Sequence, residues 1–299
     1  MPTVILKRTL RGTLRALNPP ASLPVMTHQT HAPQDHAEPG SGFVGLTETG
    51  GTRMTREGAG MVYSRYAWAS SLAPGRRVLE IACGAGTGLS MLRSTAKSVV
   101  GGDLSIQLLR RATSTGKRQA WLSCFDAAEL PFADHAFDLV LLFEALYYMR
   151  NPQAVIREAH RVLAPGGNFA IVSANPDRPA FIRSPLAHTY HTAAEFCRVL
   201  AACGFTAEVF GTFPTAAPTR GARRRQVVID FLRRTAERWH LVPRTLAGRA
   251  LLKRLVYRNL LELPSELRPG FQDEAPRTRL VPGVDASGFK VLYVLASRA

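Results

Sequence analysis

Val78-Leu79-Glu80-Ile81-Ala82-Cys83-Gly84-Ala85-Gly86-Thr87-Gly88 is a short apolar run that ends in a cluster of glycines. The run reads as a buried strand, and the residues after it (87–96) as a helix. A strand that enters a helix through glycines brings backbone N–H groups close to a ligand. Glycine tolerates positive φ and leaves no Cβ in the way. Glu80 stands just before the turn, placed to meet a cationic group.

Outward from this stretch, strand and helix signals alternate. Further strands are predicted at 98–104, 120–125, 137–143 (FDLVLLF), 168–173, 205–210 and 289–297. Helices are predicted at 105–115, 152–163 and 192–202, with Gly204 as a stop. Such alternation implies an α/β fold: a seven-stranded, mostly parallel, Rossmann-like sheet with right-handed crossovers and helices on both faces. The chain divides into a disordered extension (1–45, with a short helix near 4–17), a lead-in helix (46–75), a core (76–213), an inserted basic cap (214–288) and a final core strand (289–299). The cap is predicted helical near 226–239 and 246–260.

Asp103 lies 19 residues beyond Gly84, at the end of the second strand. A carboxylate there can accept both hydroxyls of a ribose. Asp126 closes the third strand, where it can receive an adenine amino group. Three carboxylates on three successive strand ends specify a ligand far more narrowly than a glycine loop. The rival reading is NAD(P), whose fingerprint G-x-G-x-x-G would need glycine where Leu89 stands.

With VLEIACGAGTG (78–88), GGDLS (101–105), CFDAAELPF (124–132), FDLVLLFEALYYM (137–149) and AHRVLAPGGNFAIV (159–172), the chain resembles the class I S-adenosylmethionine-dependent methyltransferases, in particular the type-11 branch that includes ubiquinone/menaquinone-biosynthesis enzymes. The resemblance implies an antiparallel last strand and S-adenosylmethionine as cofactor. It implies that Glu80, Gly84 and Gly86 hold the methionyl part, Asp103 and Leu104 the ribose, and Asp126 and Ala127 the adenine. Ala82 departs from the pattern, which often has glycine there.

For catalysis the candidates are Glu144 and Tyr147, after the fourth strand, and His191; His188 is a further base. Glu144 could equally serve as a structural hydrogen-bonding group, and His191 as a lead-in to the helix at Thr192. Tyr63, Tyr66 and Tyr148 are candidates for touching the acceptor, and Arg65 for touching the cofactor carboxylate. The competing reading packs the tyrosines and leaves Arg65 in solvent. The expected acceptor is small or lipid-linked, methylated at O, N or C. A non-catalytic regulatory module of the same fold is the alternative.

Of the net charge of +16, half falls in 214–288, where 15 basic residues face 7 acidic ones. Amphipathic basic helices there could contact anionic membrane, hold an anionic acceptor, or carry solvated charge. No aromatic-studded basic strand or recognition motif accompanies the charge, so nucleic acid is not an expected partner. Cys83, Cys124, Cys197 and Cys203 form no C-x-x-C pair, and no metal site is expected. They read as small buried apolar residues. No secretory signal or membrane span is apparent, and a cytoplasmic setting is expected, at most peripheral to the membrane.

Overall fold

The computed structural model describes residues 4–5, 45, 47–115, 120–215, 260–281 and 285–299. In chain order the strands are β1 (Val4–Ile5), β2 (Arg53–Met54), β3 (Arg77–Ile81), β4 (Ser98–Asp103), β5 (Trp121–Cys124), β6 (Phe137–Phe143), β7 (Leu163–Ala174), β8 (Phe205–Pro214), β9 (Leu261–Glu262), β10 (Arg277–Leu280) and β11 (Phe289–Arg298). The helices are α1 (Arg56–Leu72), α2 (Leu89–Arg93), α3 (Ile106–Thr115), α4 (Pro152–Val162) and α5 (Ala193–Ala201).

The main sheet runs β1-β5-β4-β3-β6-β7-β11-β8-β10. Strands β3 to β7 pair in parallel. β11 is antiparallel to both β7 and β8, as expected of the last strand. β3 lies between β4 on one side and β6 on the other, which makes its carboxyl end the topological switch point where open α/β sheets bind ligands.

Two features differ from the seven predicted strands. Among the described residues the sheet has nine, because both edges are extended. Val4–Ile5, expected in a disordered extension with a short helix, pairs in parallel with Leu122–Ser123. β10, expected within the helical cap, pairs antiparallel with β8. Two- and four-residue pairings carry no periodicity of their own; a ready sheet edge creates them. The predicted cap helices lie outside the described residues, apart from Leu260 at the end of the second. A two-stranded pairing of β2 with β9 ties the residues before α1 to those that follow the predicted cap helices.

Alternating side chains of the central strands serve two cores. Leu79, Val140 and Leu142 pack with Ile156, Ala159 and Phe196 of α4 and α5. Val78, Leu139 and Leu141 pack with Val62, Trp68, Leu92 and Leu109 of α1, α2 and α3. Helix ends follow local chemistry. Thr55 caps α1 through the Gly58 N–H (3.1 Å), and Thr192 and Glu195 form a reciprocal capping box on α5. Only Cys83 of the four cysteines is buried; the others are half-buried, and all are free thiols. No helix among the described residues is long and apolar enough to cross a membrane.

Candidate functional site

Strands β3, β4 and β6 and the loop after β5 deliver their carboxyl-terminal residues to one cavity of about 900 Å³. This lies within the range of about 300–1,000 Å³ typical of small-molecule sites. Its walls include Glu80, Ala82, Gly84, Asp103, Leu104, Asp126 and Ala127, and also Tyr66, Glu144, Tyr147, Tyr148 and His188.

The turn after β3 is built from left-handed backbone. Gly84 has φ of 57°, and Ala82 has φ of 56°, a conformation costly to any residue with a Cβ. The preference for glycine at this position thus has a backbone cause. A Cβ on Gly84 would stand 2.6 Å from Thr47 Cγ2. A Cβ on Gly88 would stand 2.1 Å from the Tyr66 ring, so that glycine is needed for the close approach of α1.

Glu80 is 1% exposed. The Tyr66 hydroxyl donates to its Oε1 at 2.6 Å, while Oε2 is buried with no partner among the described residues. Burial pushes the Glu80 carboxyl up to about 7, against the opposing influence of Tyr66 and Arg65. Asp103 accepts the Gly84 N–H on Oδ2 (2.9 Å) and the Ser105 N–H on Oδ1 (2.8 Å). Burial raises its carboxyl, and those backbone donors partly counter the rise. Asp126 Oδ1 accepts the Ala128 N–H at 2.9 Å, which turns the loop after β5 toward the cavity.

Glu144 follows β6 with φ of 51°, a second strained position at a strand end. Its Oε2 accepts the Tyr147 hydroxyl at 2.8 Å. Burial raises the Glu144 carboxyl, opposed by the Arg65 charge. Burial also lifts Tyr147 well above the usual phenol range. Tyr147 stacks on Tyr190, with centroids 4.5 Å apart, and Tyr148 meets Tyr147 edge-on at the same distance.

Three expected site residues stand elsewhere. His191 is buried against Phe196 (5.3 Å) and does not line the cavity; the chain turns it into the core just before the α5 cap. Tyr63 is also absent from the walls. Its hydroxyl accepts the Gly270 N–H at 2.9 Å, so it fastens the return segment to α1. Gly86 (φ 69°) shapes the turn without reaching the cavity wall.

Of the other wall residues, Arg65 had two competing readings in the sequence and the rest had no signal there. Arg65 is buried and does line the cavity, contrary to the solvent-exposed alternative; it donates to Glu48. Burial opposes its charge, but Glu48, Tyr66 and Glu144 outweigh that and raise its pKa. Thr47 and Glu48 close the cavity from a segment without periodicity, and Arg178 contributes from the loop after β7. A helix with almost no polar face, such as α1, was the one available hint that Arg65 is internal.

Residues 79–171 match the family described as a methyltransferase domain. The demethylmenaquinone methyltransferase of Corynebacterium urealyticum is 36% identical over 111 residues, 37% of this chain and 47% of that protein. The 27-O-demethylrifamycin SV methyltransferase of Amycolatopsis mediterranei is 34% identical over 126 residues, 40% and 43% of the two chains. The chain thus spans about half the length of the curated relatives it matches. Among solved structures, a SAM-dependent methyltransferase of Thermotoga maritima superposes with a TM-score of 0.51 at 16% identity, covering 82% of this chain and 91% of that one. The cyclase SpnF superposes with a TM-score of 0.52 at 22% identity, covering 84% of each chain. The fold is the Rossmann-like fold of class I methyltransferases.

Proposed function

We propose that this protein, whose residues 79–171 match a methyltransferase-domain family, transfers a methyl group from S-adenosylmethionine to O, N or C of a small or lipid-linked acceptor. The observation that carries the proposal is that Glu80, Asp103 and Asp126 line one cavity from three adjacent strand ends.

The residues fit such a cofactor. The buried, unpartnered Oε2 of Glu80 suits an ammonium donor, since an unmet buried acceptor is costly. Each Asp103 oxygen takes one backbone N–H and keeps acceptor capacity for the ribose hydroxyls. Gly84 and Leu104 border the same region, and Asp126 and Ala127 would meet the adenine. Bound there, S-adenosylmethionine supplies a methyl group activated by its sulfonium.

The chain's part is to orient the acceptor, exclude water and receive its proton. Glu144 is the group suited to hold that proton: burial already raises its affinity for one, and Tyr147 fixes its position. Tyr66 and Tyr148 line the same cavity and are the candidates for touching the acceptor.

The fold alone would not decide the chemistry, because a chain of the same fold is a cyclase. The carboxylate set favours S-adenosylmethionine, and Leu89 in place of a third glycine disfavours NAD(P). Calorimetry with S-adenosylmethionine and with NADH separates these. Binding of the first alone is expected; folded protein that ignores S-adenosylmethionine overturns the proposal.

The 15 basic residues of 214–288 support a peripheral contact with anionic membrane. Co-sedimentation with anionic liposomes, reduced when Arg223, Arg224 and Arg225 become Ala, is the corresponding test; wild type that never sediments ends that idea.

A further inference from the structure

The cavity has a second end, reached by neither Asp103 nor Asp126. The loop between β7 and α5 builds it. Asn175, fully buried, donates from Nδ2 to the carbonyls of Ala286 and Phe289 (both 2.8 Å). Its Oδ1 accepts the Asp177 N–H at 3.1 Å. The backbone is thereby fixed immediately before Arg178, a cavity wall residue.

From Arg178 a continuous run of side chains leads back to the candidate proton acceptor. The Arg178 guanidinium lies over the Phe181 ring, 5.5 Å from its centroid. Phe181 meets Tyr190 edge-on at 4.7 Å. Tyr190 stacks on Tyr147, whose hydroxyl binds Glu144. One end of this run is a buried carboxylate and the other a guanidinium, with aromatic rings between them.

Arg178, half-buried, differs from the buried arginine of the cavity in lacking a counter-charge. Arg65 also has a buried Nε without a partner, but its guanidinium is paired with Glu48. Arg178 has no carboxylate partner among the described residues, and its Nε is buried and unsatisfied. Buried donors of this kind are normally met. Of the other cationic wall residues, Lys290 pairs with Glu57 at 2.5 Å, Arg65 pairs with Glu48, and Arg150 is exposed to solvent, which leaves Arg178 as the enclosed cation without a carboxylate. Glu80, Asp103 and Asp126 thus line the cavity from the β3, β4 and β5 side of the sheet, and Arg178, without a carboxylate partner among the described residues, from the β7 side.

We infer that the acceptor is a flat, aromatic molecule carrying a carboxylate or phosphate, and that Arg178 is the residue that binds this anionic group. The inference names the substrate class of the site and rests on the methyltransferase reading. A planar body suits the Tyr147 and Tyr148 rings, which line the cavity, with Tyr190 and Phe181 packed behind Tyr147. The guanidinium fork suits either oxyanion.

The test uses the full chain and three probes: para-hydroxybenzoate, phenyl phosphate and the neutral para-hydroxybenzamide. Binding of each is measured by ligand-observed NMR, and S-adenosylmethionine affinity is measured on the same samples. Wild type should bind at least one anionic probe about tenfold more tightly than the amide, the worth of one charged hydrogen bond. The better anion tells carboxylate from phosphate. Arg178→Gln should lose the preference, and Arg178→Lys should keep part of it. Equal binding of anions and amide by wild type that binds S-adenosylmethionine overturns the inference. So does a preference that survives in Arg178→Gln. Loss of S-adenosylmethionine binding with the anion preference intact would instead sink the methyltransferase reading and leave the Arg178 anion site standing.

Discussion

The Tyr66 hydroxyl donates a 2.6 Å hydrogen bond to Oε1 of Glu80, and so joins helix α1 to the end of strand β3. Both side chains are buried and both line the cavity. Tyr66→Phe removes the donor and leaves both Glu80 oxygens unmet. The expected loss of stability is about 1–3 kcal/mol, the cost of stranding a buried acceptor. Urea denaturation checks it; a midpoint unchanged from wild type would show that Glu80 finds another donor.

The same carboxylate gives a pH signature. Burial holds Glu80 near 7 in the folded chain, above the 4.5 of a free glutamate. The folded state then keeps a proton that the unfolded state releases, so this group's stability contribution is lost as pH rises from about 4.5 to about 7. The loss is at most about 3 kcal/mol. A cationic ligand needs the ionised form, so its affinity should rise with pH and level off above about 7, with proton release below that. Calorimetry of S-adenosylmethionine in buffers of different ionisation enthalpy reads the proton directly. Glu80→Gln should flatten both profiles; a wild type already flat between pH 5 and 7 would refute the assignment.

The central fold was legible because strands such as β3 and β6 are largely apolar runs and helices such as α4 and α5 carry an apolar stripe. FDLVLLF reads as buried on both faces, and the structure divides it between two cores. Asp103 and Asp126 were legible because a strand end fixes a residue's place before any contact is known. Thr47, Glu48 and Arg178 were not, since they reach the cavity from irregular segments whose paths are set by pairing elsewhere, β2 with β9 and Asn175 with the turn before β11. His191 and Tyr63 misled for a related reason. Immediate neighbours of wall residues can point elsewhere: on α1 Tyr63 is turned about 100° from the wall residue Val62.

Ala82 tests backbone strain at the glycine turn. Its φ of 56° is one that glycine adopts without steric cost. Ala82→Gly should therefore hold stability level or raise it by about 1 kcal/mol, the strain relieved being partly offset by a more flexible unfolded chain. Ala82→Val should do the reverse, since a branched Cβ is worse at positive φ. Thermal unfolding of the three proteins gives the order Gly, Ala, Val; any other order would show that the strain is absent.

Asp103 joins structure to ligand binding in one side chain. It accepts backbone N–H groups from Gly84, in the glycine turn, and from Ser105, before α3. If it also holds the ribose, Asp103→Ala should weaken S-adenosylmethionine binding by about 1–3 kcal/mol, the range for a lost charged hydrogen bond. It should also destabilise the free protein, because two N–H groups lose their acceptor. Asp103→Asn separates the two effects. Its carboxamide oxygen can serve one backbone donor, so part of the stability should return. Its NH₂ can only donate, so one of the ribose acceptors stays missing. The expected result is stability between Ala and wild type, with cofactor affinity still reduced. Full affinity in Asp103→Asn, measured by calorimetry on folded protein, would show that the carboxylate shapes the turn and does not bind the ribose.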